Sequence, residues 1–215
     1  MNSKTKRIVT IAVLCAISYV VMVFGRIPVV LFLKYDPKDV FITLGGLIWG
    51  PMTSFIVSFV VSFIEMITIS DTGIWGLVMN IISTCSFACT AALIYKHKRT
   101  LSGAVIGLVT GVVCMVSVMM LWNYLITPIY MAQPREVVAG MLLPAFLPFN
   151  LLKAGLNAGF TFLLYKPVTT ALRKIGYIAP AEPAEAHKKP IGALLVAAAI
   201  IVTCVLFILS LNKII

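Results

Sequence analysis

Long apolar runs dominate this 215-residue sequence and restrict it to the folds that a lipid bilayer allows. A helix that crosses the hydrocarbon core needs about 20 mostly apolar residues, or somewhat fewer where neighbouring helices shield its ends. Gly-Pro breakers, turns and basic clusters divide the sequence into seven apolar runs, of which the second is short: 8–24, 39–49, 52–69, 74–95, 101–122, 141–165 and 191–211. Of all residues 61% are hydrophobic and 11% are charged, whereas soluble domains average about 25% charged residues. We therefore predict an all-α integral membrane protein.

The segments between the runs set the predicted domain organisation. Segments 25–38 and 123–140 are polar and proline-containing, which predicts loops at the membrane surface. The Ala/Pro/Glu/Lys tract 179–190 has no apolar face on which to fold, which is typical of a linker. We predict a membrane domain over 1–178, a cytoplasmic linker over 179–190 and an extra C-terminal transmembrane helix over 191–215.

The distribution of positive charge predicts the orientation in the membrane. The chain has 17 Lys and Arg against 7 Asp and Glu, a net charge of +10. Eleven of these cations fall in the N-terminus, in 96–99 and in 166–189. If the N-terminus is cytoplasmic and every run crosses, these three regions share the cytoplasmic side, where short loops carry excess Lys and Arg. The charge is thus an orientation signal rather than a nucleic-acid surface, and we predict a multi-pass protein of the plasma membrane.

Several classes of chemistry lack the residues that they need. All five cysteines lie inside apolar runs, and both histidines lie in basic hydrophilic stretches, so the sequence offers neither a disulfide framework, nor a zinc site, nor a His-dependent hydrolase. No G-x-x-x-x-G-K-[ST] phosphate loop occurs. We predict that the protein is not an enzyme and holds no metal or cofactor, and that energy for any pumping comes from another protein.

Polar residues within the apolar runs are the first candidates for function, because burying them in a membrane is costly. Asn150 and Lys153 lie three residues apart, hence on one helix face, which favours a ligand's polar edge over a lysine that merely extends to headgroups. For Glu65, lining a cavity and reaching to the interface are equally good interpretations. Asn80 is more commonly explained as a hydrogen-bonding contact between helices.

Other polar residues are predicted on the same, outer side of the membrane. They are Asn123 and Tyr124 after the fifth run and Lys34, Tyr35 and Asp36 in the first loop. Together with stacking surface from Trp49, Trp75 or Trp122, these groups suit a flat heterocycle with an imide-like edge and a polyol tail, since a side-chain amide both donates and accepts. They suit a bare cation poorly, because a cation would need more carboxylates. The residues alone predict binding of a small polar solute from outside, with no named solute.

Several of these segments resemble a known family. The stretch Lys34-Tyr35-Asp36-Pro37-Lys38-Asp39, the following Leu44-Gly45-Gly46 and Gly50-Pro51, the pair Asn123-Tyr124 and the segment Leu147-Pro148-Phe149-Asn150-Leu151-Leu152-Lys153 carry the likeness. The sequence resembles, over about 8–170, the riboflavin-specific substrate-binding (S) component of energy-coupling factor (ECF) transporters.

The resemblance implies a fold, partners and a set of site residues. It implies a six-helix bundle that captures the vitamin from outside, while a transmembrane coupling subunit and two ATPase subunits drive its release inward. It also implies that Asn123, Asn150 and Lys153 hydrogen-bond the isoalloxazine edge and that Tyr35 and its neighbours close over the ligand. The small residues Ala12 and Ala16, four apart, would contact the coupling subunit. The full predicted ligand-binding set is Tyr35, Asp36, Asn80, Asn123, Tyr124, Asn150 and Lys153.

Alternatives remain open at the level of sequence. The run 191–211 has no counterpart in a six-helix S component, so it is either an added anchor or an interaction helix. The ligand could be FMN or another heterocyclic vitamin. A membrane-embedded enzyme would need clustered His, Asp or Glu groups, and a purely structural membrane protein would bind no ligand and tolerate Asn150→Ala.

Overall fold

Long apolar helices build most of the protein, as the sequence predicts. In a computed structural model, residues 3–30, 33–178 and 191–211 are described. Within these ranges, five helical stretches are long and apolar enough to cross a membrane. They are α1 (Ser3–Gly25), α3 (Pro51–Thr68), α4 (Gly73–His97), α5 (Leu101–Leu125) and the stretch Arg135–Lys174, which ends with α8 (Leu147–Lys174). The prediction of a helical membrane protein is confirmed.

Two further helices lie outside this set of five. Helix α2 (Lys38–Trp49) has 12 residues and measures about 18 Å, against a hydrocarbon core of about 30 Å. It is mostly buried among its neighbours, so its length need not match the bilayer. Helix α9 (Ile191–Leu211) has 21 residues and measures about 31 Å, which matches the thickness of the hydrocarbon core. Among the long helices α9 is therefore also long enough to cross, α2 is not, and the seven crossings remain a prediction.

Both segments expected to be plain loops contain regular structure. Segment 25–38 forms an antiparallel hairpin of β1 (Ile27–Val30) and β2 (Leu33–Tyr35), in which Ile27 faces Tyr35. Segment 123–140 holds the short helices α6 (Thr127–Met131) and α7 (Arg135–Met141). Strand pairing satisfies backbone groups that a loop buried at the bundle end would leave without partners. The small hairpin is an addition to the predicted all-α fold.

The sixth predicted run, 141–165, differs from the structure at both ends. It begins with a π-helical turn, Leu142–Phe146, in which the Leu147 N–H donates to the Leu142 carbonyl. Helix α8 then continues through Pro167 to Lys174, beyond the end of the apolar run, because a helix that leaves the membrane can extend with polar residues. The π-helical turn directly precedes the Phe-Asn-x-x-Lys segment.

The central core lies between α3, α4 and α5. Phe87 and Ala91 of α4 pack with Val57 of α3 and Met115 of α5. Helices α4 and α5 approach so closely that a Cβ atom added to Gly107 would lie 2.7 Å from the Ala91 carbonyl oxygen. Small residues permit such close contact between membrane helices.

Helix α9 packs along α8. A Cβ atom at Gly159 would lie 2.9 Å from Ile201 Cγ1, and one at Gly155 would lie 3.5 Å from Cys204 Sγ. Farther along α9, Ile208 joins an apolar cluster that includes Tyr35 of β2. The extra C-terminal helix is therefore described over 191–211, whereas the predicted linker 179–190 and residues 212–215 lie outside the described residues.

Candidate ligand-binding cavity

A cavity of about 310 Å³ opens at the hairpin end of the bundle, and we call it the polar cavity. Its volume is at the lower end of the range for small-molecule sites, about 300–1,000 Å³. The hairpin, the α3–α4 turn, α4, α5 and α8 all contribute to its wall. Its lining residues are Arg26, Leu33, Lys34, Asp36, Glu65, Ser70, Asp71, Thr72, Met79, Asn80, Ser83, Met119, Asn123, Tyr130, Phe149, Asn150 and Lys153.

Five of the seven predicted ligand-binding residues line this cavity. They are Asp36, Asn80, Asn123, Asn150 and Lys153. Asn150 and Lys153 face it together from the first turns of α8, as their spacing predicts, and both are buried. Residues from four separate segments of the chain therefore meet at one place.

The two predicted tyrosines do not line the cavity. Tyr35 is buried in the bundle, where its hydroxyl donates to Asn157 Oδ1 at 3.3 Å. Tyr124 is 39% exposed, and the Arg135 guanidinium lies over its ring at 5.5 Å. Tyr35 can act on a ligand only through the residues that it positions, unless the hairpin moves.

The predicted tryptophan stacking surface is also absent from the lining. Trp75 and Trp122 line a smaller neighbouring cavity of about 20 Å³, and Trp49 lies at the opposite end of the bundle. The apolar surface of the polar cavity comes instead from Leu33, Met79, Met119 and Phe149. Methionine side chains are flexible and polarizable, and their sulfur atoms make favourable contacts with aromatic rings.

Glu65 is the centre of a buried polar network, which decides between its two interpretations. Its carboxylate accepts hydrogen bonds from Arg26 at the start of the hairpin, from Lys38 at the start of α2 and, at 2.9 Å, from Asn80 Nδ2 of α4. Lys38 is fully buried and also lies 3.9 Å from an Asp36 oxygen. Glu65 therefore lines the cavity and links three elements rather than reaching to the interface.

A second buried carboxylate, Asp39, holds Lys153 in place. Asp39 Oδ2 lies 3.5 Å from Lys153 Nζ and accepts from Asn157 Nδ2 at 3.2 Å, while Asp39 Oδ1 accepts from Thr84 Oγ1 at 2.7 Å. The carboxylate of Asp39 thus balances the charge of Lys153, while Lys153 still lines the cavity. Sequence reasoning missed Asp39 because it was assigned only as the first residue of a short helix.

Charges at the cavity are balanced. Four cations (Arg26, Lys34, Lys38 and Lys153) accompany four carboxylates (Asp36, Asp39, Glu65 and Asp71) in and directly beneath the wall. Burial alone would raise the pKa of Asp36, but the charges of Lys38, Lys153 and Arg26 outweigh it, so this pKa is lowered. The hydrogen bond and charge of Lys34 lower the pKa of Asp71. With both groups ionised at neutral pH, the formal charges sum to zero.

Amide atoms remain available for a ligand. Asn123 Oδ1 accepts from Thr127 Oγ1 at 3.0 Å, which leaves its Nδ2 for donation. Asn80 donates through Nδ2 to Glu65, which leaves its Oδ1 as an acceptor. Asn150 Nδ2 donates to the Phe146 carbonyl at 2.8 Å, which leaves its Oδ1 as an acceptor and one N–H as a donor. The cavity thus presents both donors and acceptors with no net charge.

The two residues that are predicted to contact the coupling subunit lie on the exposed face of α1. Ala12 and Ala16 are exposed on α1, on the same face as the exposed side chains of Val13, Ile17 and Val20. This face offers a smooth apolar stripe to lipid or to another helix. Among the described residues, no group of three His, Cys, Asp or Glu side chains could hold a metal ion.

The comparisons with known proteins agree with this architecture. The family model described as ECF transporter, substrate-specific component, matches residues 6–165. The riboflavin transporter RibU of Staphylococcus aureus (strain TCH60) is 27% identical over 181 residues, which cover 80% of this chain and 95% of that protein. The riboflavin transporter FmnP of Bacillus subtilis (strain 168) is 30% identical over 168 residues, 70% of this chain and 85% of that protein.

A solved structure shares the fold. The S component of a bacterial ECF transporter superposes with a TM-score of 0.67 at 29% identity, over 80% of this chain and 99% of that one. The family model covers well over half of the sequence, including the hairpin, all the residues that line the polar cavity and the exposed face of α1. The protein is therefore a member of the substrate-specific components of ECF transporters, a family of transporter subunits rather than enzymes.

Proposed function

We propose that this protein captures riboflavin in the polar cavity and acts as the specificity subunit of an ATP-driven importer. The observation that carries the proposal is the cavity itself, which combines available amide donors and acceptors with apolar side chains and no net charge. The names of the two relatives, both riboflavin transporters, support the same ligand. A coupling subunit and two ATPase subunits would supply the energy, as the resemblance implies.

The lining suits the two halves of the vitamin. The isoalloxazine edge carries an imide-like alternation of acceptors and a donor, which Asn123 and Asn150 can match because each offers an amide. Phe149, Met79 and Met119 provide apolar surface for the ring faces. The hydroxyl-rich ribityl chain requires polar partners, and the charged hairpin side of the cavity contains them.

The charge balance favours riboflavin over FMN. A phosphate group needs unpaired cations, whereas each cation at the polar cavity faces a carboxylate. Bringing a phosphate beside Asp36, Glu65 and Asp71 would add repulsion that the neutral vitamin avoids. We propose FMN as the weaker ligand for this reason.

The proposed orientation places the hairpin end outside the cell. The basic segments at the N-terminus and at 96–99 lie at the opposite end of the bundle, and excess Lys and Arg is typical of cytoplasmic loops. The polar cavity would then receive the vitamin from outside, and the exposed face of α1 would meet the coupling subunit within the membrane.

Flavin fluorescence provides the test. Purified protein in detergent, washed free of flavin, is titrated with riboflavin and with FMN while tryptophan and flavin emission are recorded. We expect saturable one-to-one quenching by riboflavin, since Trp75 and Trp122 lie one residue layer from the polar cavity, and weaker binding of FMN. No quenching would refute the ligand, and equal or tighter FMN binding would refute the charge argument.

One variant separates this proposal from a purely structural role. Asn150→Ala removes an amide that lines the polar cavity and donates to Phe146. A transporter subunit should lose riboflavin affinity, whereas a structural protein should tolerate the change. Asn2→Ala, at the N-terminus, is the matched control for loss of an amide elsewhere.

A further inference from the structure

A second cavity, also of about 310 Å³, lies at the end of the bundle opposite the hairpin, and we call it the basic cavity. Three cations line it: Arg7 from α1, Lys96 from the end of α4 and Arg99 from the α4–α5 turn. No carboxylate lines it, and none of the three cations pairs with an acidic residue in the described ranges. The basic cavity therefore carries a net positive charge, in contrast to the balanced polar cavity.

The distribution of acidic residues explains this difference. All five acidic residues of the described part, Asp36, Asp39, Glu65, Asp71 and Glu136, lie at or near the hairpin end. Three like charges that converge on one concave surface repel one another, which costs free energy unless an anion is bound between them. The convergence favours an external anionic ligand.

The surroundings of the basic cavity are those of an amphiphile site. Trp49 and Tyr95 line it, and such aromatic side chains are typical of the membrane–water interface. Met52, at its mouth, is 59% exposed. From Met52 an exposed apolar stripe continues along α3 through Phe55, Phe59 and Phe63, with the last two rings stacked at 6.5 Å. A charged headgroup site thus leads directly into a lipid-facing apolar track.

We propose that the basic cavity binds the phosphoryl headgroup of an anionic membrane phospholipid, whose acyl chain lies along the α3 stripe. Basic pockets between membrane helices on the cytoplasmic side are suited to such headgroups. Arg7 and Arg99 can each donate two parallel hydrogen bonds to a phosphoryl group, and Lys96 adds a point charge. The apolar track favours a lipid as the ligand. Neither free phosphate nor an acidic protein loop has an acyl chain that could lie along it.

Native mass spectrometry of the full chain in detergent tests the site. Dioleoyl phosphatidylglycerol, dioleoyl phosphatidylcholine and inorganic phosphate are the probes. We expect phosphatidylglycerol to bind more tightly than phosphatidylcholine, and the triple variant Arg7→Gln, Lys96→Gln, Arg99→Gln to weaken its binding at least about tenfold, since each cation near an anionic lipid contributes to affinity. Thermal unfolding of the variant checks that it is folded.

A matched control removes the same charge at the same end of the bundle. Lys98→Gln, Lys166→Gln and Lys174→Gln replace three cations outside the lining, and this variant should retain phosphatidylglycerol binding. Equal losses in both triple variants would overturn the proposal, because they would indicate a diffuse charge effect. Equal binding of phosphatidylcholine would also overturn it.

The apolar track has a separate test. Phe55→Ser with Phe59→Ser should weaken binding of the dioleoyl lipid but not of dihexanoyl phosphatidylglycerol, whose chains are too short to follow the stripe. If inorganic phosphate displaces the dioleoyl lipid at similar concentration, the site recognises a free anion and the lipid assignment is wrong. None of these readouts depends on riboflavin.

Discussion

Lys153 Nζ lies 3.5 Å from Asp39 Oδ2, so an ion pair joins α8 to the first turn of α2 beneath the polar cavity. Thr84 of α4 and Asn157, one turn farther along α8, hold Asp39 in turn. The position of Lys153 therefore depends on α2, on α4 and on the next turn of its own helix. We therefore expect a ligand that contacts Lys153 to affect the helix packing as well as this one side chain.

Lys153→Met should weaken riboflavin binding by about 1–3 kcal/mol, the scale of an unpaired buried hydrogen-bonding group. It should also lower the thermal unfolding midpoint, because Asp39 loses its cation. In the double variant Lys153→Met, Asp39→Asn, we expect stability to recover and binding to stay weak. Lys166→Met, exposed on the same helix, is the control, and unchanged affinity in Lys153→Met would exclude this lysine from the site.

Glu65→Gln should destabilise the protein and change its ligand preference. The fully buried Lys38 and the neighbouring Arg26 both lose their carboxylate, and breaking a buried ion pair costs about 3–5 kcal/mol. The polar cavity also gains one net positive charge, so FMN should bind better relative to riboflavin. Unfolding midpoints and paired titrations measure both effects, with Glu136→Gln, exposed on α7, as the control; an unchanged FMN-to-riboflavin ratio would contradict the charge argument.

The hydrogen bond of 2.7 Å from Lys34 to Asp71 ties the hairpin to the α3–α4 turn at the cavity mouth. Because Lys34 lowers the pKa of Asp71, the contribution of this pair is complete above the ordinary aspartate pKa of about 3.9 and is lost as the pH falls through the lowered value. We expect the contribution of this pair to the riboflavin dissociation rate to stay constant between about pH 8 and pH 5.

Asp71→Asn isolates that pair from other titrating carboxylates such as Asp36. The variant should release riboflavin a few-fold faster at neutral pH, because an exposed ion pair stabilises only weakly. As the pH falls below about 4, the wild-type rate should approach that of the variant. Stopped-flow fluorescence measures both rates, and identical rates at pH 7 would show that the pair does not hold the hairpin.

Gly155→Cys tests the packing of α9 on α8. An added Cβ would lie 3.5 Å from Cys204 Sγ, so mild oxidation should form a disulfide in a background without the other cysteines. Trypsin cleavage after Lys188 should then leave the two fragments joined on a non-reducing gel. Gly140→Cys, with nothing within 4 Å of its Cβ, is the control and should not link; two separate fragments from the Gly155 variant would contradict the packing.

Leucine at Ala12 and Ala16 should spare riboflavin binding and impair uptake. Both residues are exposed on α1 and remote from the polar cavity, so bulk there obstructs only a partner helix. Binding is measured by titration and uptake in cells that carry the coupling subunits. Ala198→Leu, exposed on α9, is the control, and lost binding in the α1 variants would show that this face acts inside the protein.

Much of the fold could be predicted because membrane helices are recognisable in the sequence as long apolar runs. The hairpin could not, since its strands are only four and three residues long and lie in a segment with no clear alternation. The short α2 was visible as a run, but its burial depends on neighbours that no local pattern specifies.

Some residues of the candidate site could likewise be predicted from the sequence, and others could not. Asn150 and Lys153 were predictable because a polar pair on one helix face is conspicuous in an apolar run. Arg26, Lys38 and Asp39 were not, because charged residues in a polar segment look solvated until the fold buries them. Tyr124 was placed by adjacency to Asn123, but consecutive helical residues point in different directions.

The shortness of α2 has a consequence for permeation. Lys38 and Asp39 at its N-terminal end lie under the polar cavity, while Gly46 to Trp49 at its C-terminal end line the basic cavity. The two cavities are thus separated by the length of α2, about 18 Å of packed helix, whereas the hydrocarbon core of a bilayer is about 30 Å thick. We therefore expect the side-chain packing around α2, rather than the full thickness of a bilayer, to limit the leakage of ions between the two cavities.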